Sequence, residues 1–215
     1  MPSKRDAPYI WVTWLASLLS GDNHCEWAAW FRANFHHLRR PSSFDDVKFR
    51  ADHAEMVRTR VSELQKQGYQ VFIEHQNNFN LKGRAATIGG TADIVAIGEQ
   101  DAWVIDCKGG KQRDSHYFQV LIYMLMLPIT HPACRGRSLS GEIQYRDYSA
   151  LVMPGELTEH RQAQIRAMIE RIGSKEPLIK VPSPGVCRWC PVAARDCPER
   201  MDGPAHDAMP EHDLF

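Results

Sequence analysis

The chain has 215 residues, 43% of them hydrophobic, enough for one domain with appendages and a sizeable core. Lys plus Arg and Asp plus Glu both number 26, so the net charge is zero. That excludes the global basic signature of a nucleic-acid binder, and any such partner would have to be met by a local basic groove.

In chain order, Lys4 and Arg5 before "YIWVTWLASLL" imitate a signal peptide. Two tryptophans, a threonine and the lack of a small-x-small cleavage site argue instead for an amphipathic helix over residues 8–20. No apolar run approaches the ~18 residues of a membrane span, so a cytoplasmic protein is expected. A second helix follows, capped by Asp22 or Asn23, with an apolar stripe of Trp27, Trp30, Phe31 and Phe35. "PSSF" at 41–44 is a break, and a longer helix runs from about Asp45 to Gln67, closed by Gly68.

"YQVFIEHQ" (69–76) alternates like a strand, and "FNLKGRAATIGG" resembles a hairpin partner with its turn. "TADIVAI" (91–97) and "AWVIDCK" (102–108) are strands joined by a tight turn. "SHYFQVLIYMLML" (115–127) is a strongly apolar helix that Pro128 should stop. After a loop come a strand, "ALVMP" (150–154), and a polar-faced helix ending at Gly173. The rest is rich in proline and cysteine, and the tail from Asp202 has little to fold. This order predicts an α/β sandwich built on a mixed sheet flanked by helices.

One strand ends in chemistry. Side chains alternate along a strand, so Asp106 and Lys108 share a face. The tight turn brings Asp93 beside them. Two carboxylates at close range repel unless one stays protonated or a cation lies between them, and hard oxygen ligands suit Mg²⁺ or Mn²⁺. An ordinary ion pair at a strand end and a turn-capping aspartate are the simpler readings of each residue alone. The Cys107 thiol should face the core.

"GTAD", thirteen positions, then "DCK" resembles the PD-(D/E)xK nuclease signature, with Asp106 where Glu is commoner. Gln119 and Tyr123 form a Q-x-x-x-Y pair on one helix face, similar to the extra motif of the RecB-like branch. His53, in "ADHAEMVRTRVSEL", resembles that branch's first motif. Cys187, Cys190 and Cys197, with Cys25 far upstream, resemble the four-cysteine arrangement of the iron–sulfur RecB-like nucleases, among them the AddB nuclease domain and the CRISPR-associated Cas-four exonucleases. The resemblance spans about residues 12–200.

The resemblance implies a restriction-endonuclease-like core over residues 45–175, an N-terminal helical segment (1–44) carrying Cys25, a cysteine segment (176–201) and a tail (202–215). It implies Asp93, Asp106, His53 and the Cys107 carbonyl as metal ligands, Lys108 orienting the attacking water, and Gln119 and Tyr123 holding the nucleic-acid backbone. Cys25, Cys187, Cys190 and Cys197 would bind a 4Fe–4S cluster joining the two ends of the fold, with zinc as the alternative. Cys134 is left as a bystander. Glu55 and Glu74 are possible supporting acids, and Lys82, Arg84, Lys111 and Arg113 could form the phosphate groove.

The expected activity is metal-dependent DNA cleavage. An exonuclease preferring single strands, in repair, phage biology or CRISPR adaptation, comes first. A partner-dependent endonuclease or end-trimming nuclease, or a DNA-binding module of a larger complex, is the alternative. The final "EHDLF" resembles a sliding-clamp-binding peptide with Glu211 where Gln belongs. Oligomeric state stays open.

Overall fold

The structure is a computed structural model that describes residues 2–36 and 46–201, with side chains of the second stretch described from residue 50. The "PSSF" break and the "EHDLF" tail lie outside the described residues. The first half contains β1 (Ser3–Lys4), β2 (Tyr9–Trp11), α1 (Val12–Leu19), α2 (Glu26–Asn34), β3 (Phe35–His36), α3 (Asp46–Lys66), β4 (Gln70–Ile73), β5 (Asn78–Lys82) and β6 (Thr87–Thr91). The second half contains β7 (Ile94–Ile97), β8 (Ala102–Lys108), α4 (Asp114–Thr130), β9 (Ser140–Tyr145), β10 (Ser149–Val152), α5 (Glu159–Ile172) and α6 (Pro184–Trp189).

The main sheet has five strands in the order β10-β9-β8-β7-β4. β8 runs parallel to β9, and the other neighbours are antiparallel, so the sheet is mixed. A second sheet has the order β2-β6-β5, and β1 pairs with β3. Helix α4 lies between the main sheet and α1 and contributes Val120, Leu121, Ile122 and Leu127 to the core with no solvent exposure. A helix apolar nearly all round must be buried nearly all round, and α4 is. Helix α3 covers the other face of β7 and β8, packing Val57 and Leu64 on Ile94, Ile105 and Cys107. The Cys107 thiol is therefore in the core on the face opposite Asp106.

Four local expectations change. The predicted helix over 8–20 begins at Val12, because Tyr9-Ile10-Trp11 pair in parallel with Thr87-Ile88-Gly89. The strand from Tyr69 stops at Ile73, and Glu74–Asn77 form a 3₁₀ turn whose buried Asn77 donates to the carbonyls of Phe72 and Ala92 at 3.0 Å each. Pro128 lies inside α4 rather than ending it. Its missing N–H leaves the Met124 carbonyl without its helical donor, a single bond forfeited near the helix end.

The largest change is β9. Its sequence, SGEIQY, reads as loop because Glu142 falls at a position that proves 3% exposed. The tertiary structure supplies the missing partner: Arg60 of α3 donates to Glu142 Oε2 at 2.7 Å.

Gly68, at φ 89, ends α3 in the left-handed region that favours glycine. Gly90 serves a close approach: a Cβ there would lie 2.7 Å from Val12 Cγ2, 2.9 Å from Phe79 Cζ and 3.0 Å from the Tyr123 ring. That glycine lets β6 lie against α1 and α4 at once.

Candidate active site

The register of β7 on β8 pairs Ile94 with Ile105. Asp93, one residue before β7, thus arrives beside Asp106. The Cys107 backbone N–H donates to Asp93 Oδ2 at 2.7 Å. His53, on α3, places Nε2 3.4 Å from Asp93 Oδ1. The hydrogen bond to Asp93 raises the His53 pKa above its ordinary value, against the opposing effect of burial.

Asp106 and Lys108 point toward α4. Lys108 Nζ is 2.8 Å from Asp106 Oδ2 and donates to Gln119 Oε1 at 3.0 Å. Gln119 Nε2 donates to Asp106 Oδ1 at 3.0 Å and contacts the Tyr123 hydroxyl at 3.2 Å. Tyr123 in turn donates to the Thr91 carbonyl at 2.8 Å. Gln119 and Tyr123, four residues apart on one helix, thereby anchor a network from β6 to β8.

The network is deeply buried: Asp106 is 1% exposed, Lys108 7%, Gln119 7% and Tyr123 2%. Burial pushes the Asp106 carboxyl up to about 6, even though the Lys108 charge pulls the other way. For Lys108, burial favours the neutral amine, but the attraction of Asp106 and Asp93 prevails and raises its pKa. Burial alone would neutralise this ammonium.

The donor set suits a hard divalent cation. The approach of Lys108 to Asp106 Oδ2 is an ion pair without hydrogen-bond alignment, and that oxygen is buried with no hydrogen bond. Among the described residues its partner is the Lys108 ammonium alone, and a divalent ion would share or replace that contact. Asp93 Oδ1 faces His53 of α3, and the charges of Asp93 and His53 both act on Asp106. Asp106, Asp93, His53 and the Cys107 carbonyl would hold the ion, which would polarise a phosphoryl oxygen and activate water. Even so, no three His, Cys, Asp or Glu side chains among the described residues are gathered as a preformed metal site.

The other predicted residues distribute unevenly. Glu55 lines a groove of about 460 Å³ between α3 and the end of β9, with Arg60, Gln144 and Tyr145 among its neighbours. Glu74, with φ 39, is exposed, and its backbone N–H donates to the Asp93 carbonyl at 2.9 Å. Lys82 and Arg84 belong to the β5–β6 turn, and Lys82 pairs with Thr87. That end of β6 is four residues, roughly 13 Å, from Thr91, so these two cations are remote from Asp106. Lys111 and Arg113 lie between β8 and α4, next to the site.

All six cysteines are unbridged. Cys25, Cys187, Cys190 and Cys197 line one small cavity with Trp27 and Arg200. Cys25 caps α2, Cys187 lies in α6, and Arg200 donates to the carbonyls of Cys187, Cys190 (2.9 Å) and Val192 (2.6 Å). Tertiary structure has brought Cys25 and the three C-terminal cysteines to the wall of one cavity, without gathering three of them as a preformed metal site. The cavity measures about 20 Å³, room for about one water. Four thiols suit zinc or an iron–sulfur cluster by donor chemistry, and this space is nearer to that of a single ion. Cys134 is buried elsewhere in the main core, where burial raises its thiol pKa to about 11.

Two partners of the site were not foreseen. His116 Nδ1 lies 2.9 Å from the Tyr145 hydroxyl, both buried. His116 stands one helical turn before Gln119, so its facing was legible from spacing. Tyr145 was not legible, because it lies on the unrecognised strand β9, where it is the register partner of Lys108.

Adjacent carboxylates, a lysine two residues on and a glutamine–tyrosine pair over them form the site of a phosphodiester-cleaving class. The sequence model of the PD-(D/E)XK nuclease superfamily matches residues 11–198, and the chain belongs to this superfamily. The solved structure of SSO0001 is similar in fold, with a TM-score of 0.51 at 14% identity, covering 92% of this chain and 89% of that chain. No curated protein matches the sequence. Among the described residues, no helix is long and apolar enough to cross a membrane.

Proposed function

We propose that this nuclease hydrolyses DNA with Mg²⁺ or Mn²⁺, as an exonuclease that prefers single strands. The observation that carries this reading is the buried Asp106–Lys108–Gln119–Tyr123 network beside Asp93 and His53. A purely structural ion pair would not need a second carboxylate and a histidine facing it.

In this reading Asp93, Asp106, His53 and the Cys107 carbonyl hold the cation. Lys108 orients the attacking water and stabilises the charge that develops on the phosphorane. Gln119 and Tyr123, expected to hold the nucleic-acid backbone, are buried and bonded inward instead: Gln119 holds both Asp106 and Lys108 in place, and Tyr123 fixes Gln119 with its Thr91 bond. Lys111 and Arg113 meet the phosphate backbone.

The reading extends to a RecB-like enzyme related to the AddB nuclease domain and the Cas-four exonucleases, working in the cytoplasm in repair, phage biology or CRISPR adaptation. It keeps a nuclease core (45–175), an N-terminal segment (1–44), a cysteine segment (176–201) and a tail (202–215). The four cysteines hold a 4Fe–4S cluster, with zinc as the alternative. Convergence of Cys25 with the C-terminal three on one cavity supports a thiolate metal site. Iron and zinc assays on protein purified without oxygen distinguish the two. The tail is proposed to dock on a sliding clamp, and deletion of residues 211–215 should abolish capture by the clamp.

The decisive experiment is cleavage of end-labelled single- and double-stranded DNA with Mn²⁺ or Mg²⁺, comparing wild type with Asp106→Ala. Metal-dependent shortening from one end, lost in the variant, is expected. Internal cuts would favour an endonuclease. Absence of cleavage by a folded, metal-loaded protein would overturn the catalytic reading in favour of a binding module.

A further inference from the structure

We propose that Tyr148, stacked on Tyr145 at the rim of the active site, is a platform for an unpaired nucleobase of the substrate strand. The inference rests on the nuclease reading above and adds a binding residue and a substrate feature to it.

Tyr145 is the register partner of Lys108 in the parallel β8–β9 pair. Neighbouring strands lie roughly 4.8 Å apart, and paired residues share a face of the sheet. Tyr145 therefore stands beside the lysine of the site, on the α4 side, where its hydroxyl meets His116. Tyr148 lies across the Arg146-Asp147 turn from Tyr145, whose N–H donates to the Tyr148 carbonyl at 2.9 Å. Its ring stacks on that of Tyr145 with centroids 4.7 Å apart and planes at 21°. Its hydroxyl donates to Gln112 Oε1 at 3.2 Å, and Gln112 belongs to the segment that leaves the site after Lys108.

This ring is held in place and still accessible. Tyr145 is 2% exposed, whereas Tyr148 is 48% exposed. An aromatic ring fixed on one face and open to solvent beyond it loses little conformational freedom on binding. With its hydroxyl already engaged, what it offers is a π surface, which stacks on any base without reading its edges. The zero net charge makes such a contact useful, because stacking adds affinity that does not depend on counterion release. A base can reach this ring only when it is out of a duplex, so the substrate class is a single strand or a frayed end.

The test is binding and cleavage of a short single-stranded oligonucleotide, together with a set in which one abasic nucleotide is moved along the strand. Binding is read without divalent cation and cutting with Mg²⁺. Tyr148→Ala should weaken binding about tenfold and raise KM with kcat little changed, while Tyr148→Trp should bind at least as well as wild type. In wild type, an abasic nucleotide at one position should cost as much as the alanine variant does. In Tyr148→Ala that penalty should vanish. Tyr148→Leu, which keeps apolar bulk without the ring, decides the case if the alanine variant fails to fold. Equal binding by wild type and the variants, or the same abasic profile in all of them, overturns the platform and leaves the nuclease reading standing. A wild type that neither binds nor cuts overturns both.

Discussion

At the residue scale, the consequential fact is that Lys108 and Asp106 are both buried. Removing one partner of such a pair leaves a buried charge uncompensated. Lys108→Ala should therefore lose cleavage by roughly two to three orders of magnitude while still binding DNA, and Asp106 should respond by staying protonated. Undiminished cutting on end-labelled DNA would remove the assigned role. The raised pKa of Asp106 also sets a pH dependence. Its folded-state value, about 6, lies above the ordinary 3.8. The stability it contributes is thus present below about 4 and is lost as pH rises through about 6. The raised His53 value acts in the same direction at higher pH. Cation binding requires the ionised carboxylate, so cleavage should rise over the window in which stability of the metal-free protein falls. Thermal melting and initial rates across that range check both signs, and Asp106→Asn should flatten the Asp106 part of the melting profile.

At the element scale, two contacts carry more weight than their sequences suggest. Gly90 lets Tyr123 approach β6, and Gly90→Ala should displace Val12, Phe79 or the Tyr123 ring. A cost of about 1–3 kcal/mol in urea unfolding is expected, with reduced cleavage because Tyr123 loses its position on Thr91. Strand β9 depends on Arg60, which neutralises buried Glu142 from the facing helix. Arg60→Met should cost about 3–5 kcal/mol, and adding Glu142→Gln should recover much of it, as denaturant titrations of the single and double variants would reveal. The same pair explains why β9 was illegible. A strand containing glutamate, glutamine and glycine looks solvated until the partner from a distant helix is known. Strand β8 was legible to its ends because its alternation and its closing Asp-x-Lys need no distant partner to be recognised.

At the scale of the whole molecule, the ends of the chain are tied together. Trp30 Nε1 donates to the Ser174 carbonyl at 2.9 Å, Asn34 donates to that of Ile172 at 3.1 Å, and Arg171 pairs with Glu26. The cysteine cavity continues this seam between α2 and the C-terminal segment. A metal or cluster there would close a loop of ~160 residues, worth about 5 kcal/mol by chain entropy. Chelation, or Cys187→Ala, should accordingly lower the melting temperature while leaving the geometry around Asp106 intact. An unchanged melting temperature on metal removal would show that the protein seam suffices by itself.

The amino-acid sequence by itself determined the long helices, the β8 strand, the shared strand face of Asp106 and Lys108, and the shared helix face of Gln119 and Tyr123. Each of these follows from local periodicity or from a spacing of a few residues, which are properties of a single segment. Only the tertiary structure decided the rest. It turned Tyr9–Trp11 into a strand by giving it β6 as a neighbour, placed β9 between β8 and β10 with Arg60 on its buried Glu142, and carried Lys82 and Arg84 away from the site. It set Tyr145 beside Lys108 and brought four cysteines from the two ends of the chain to the wall of one cavity. The physical reason is the same in each case. Pairing across a sheet, neutralisation of a buried charge and convergence on a cavity are contacts between segments far apart in sequence, and no local pattern records them.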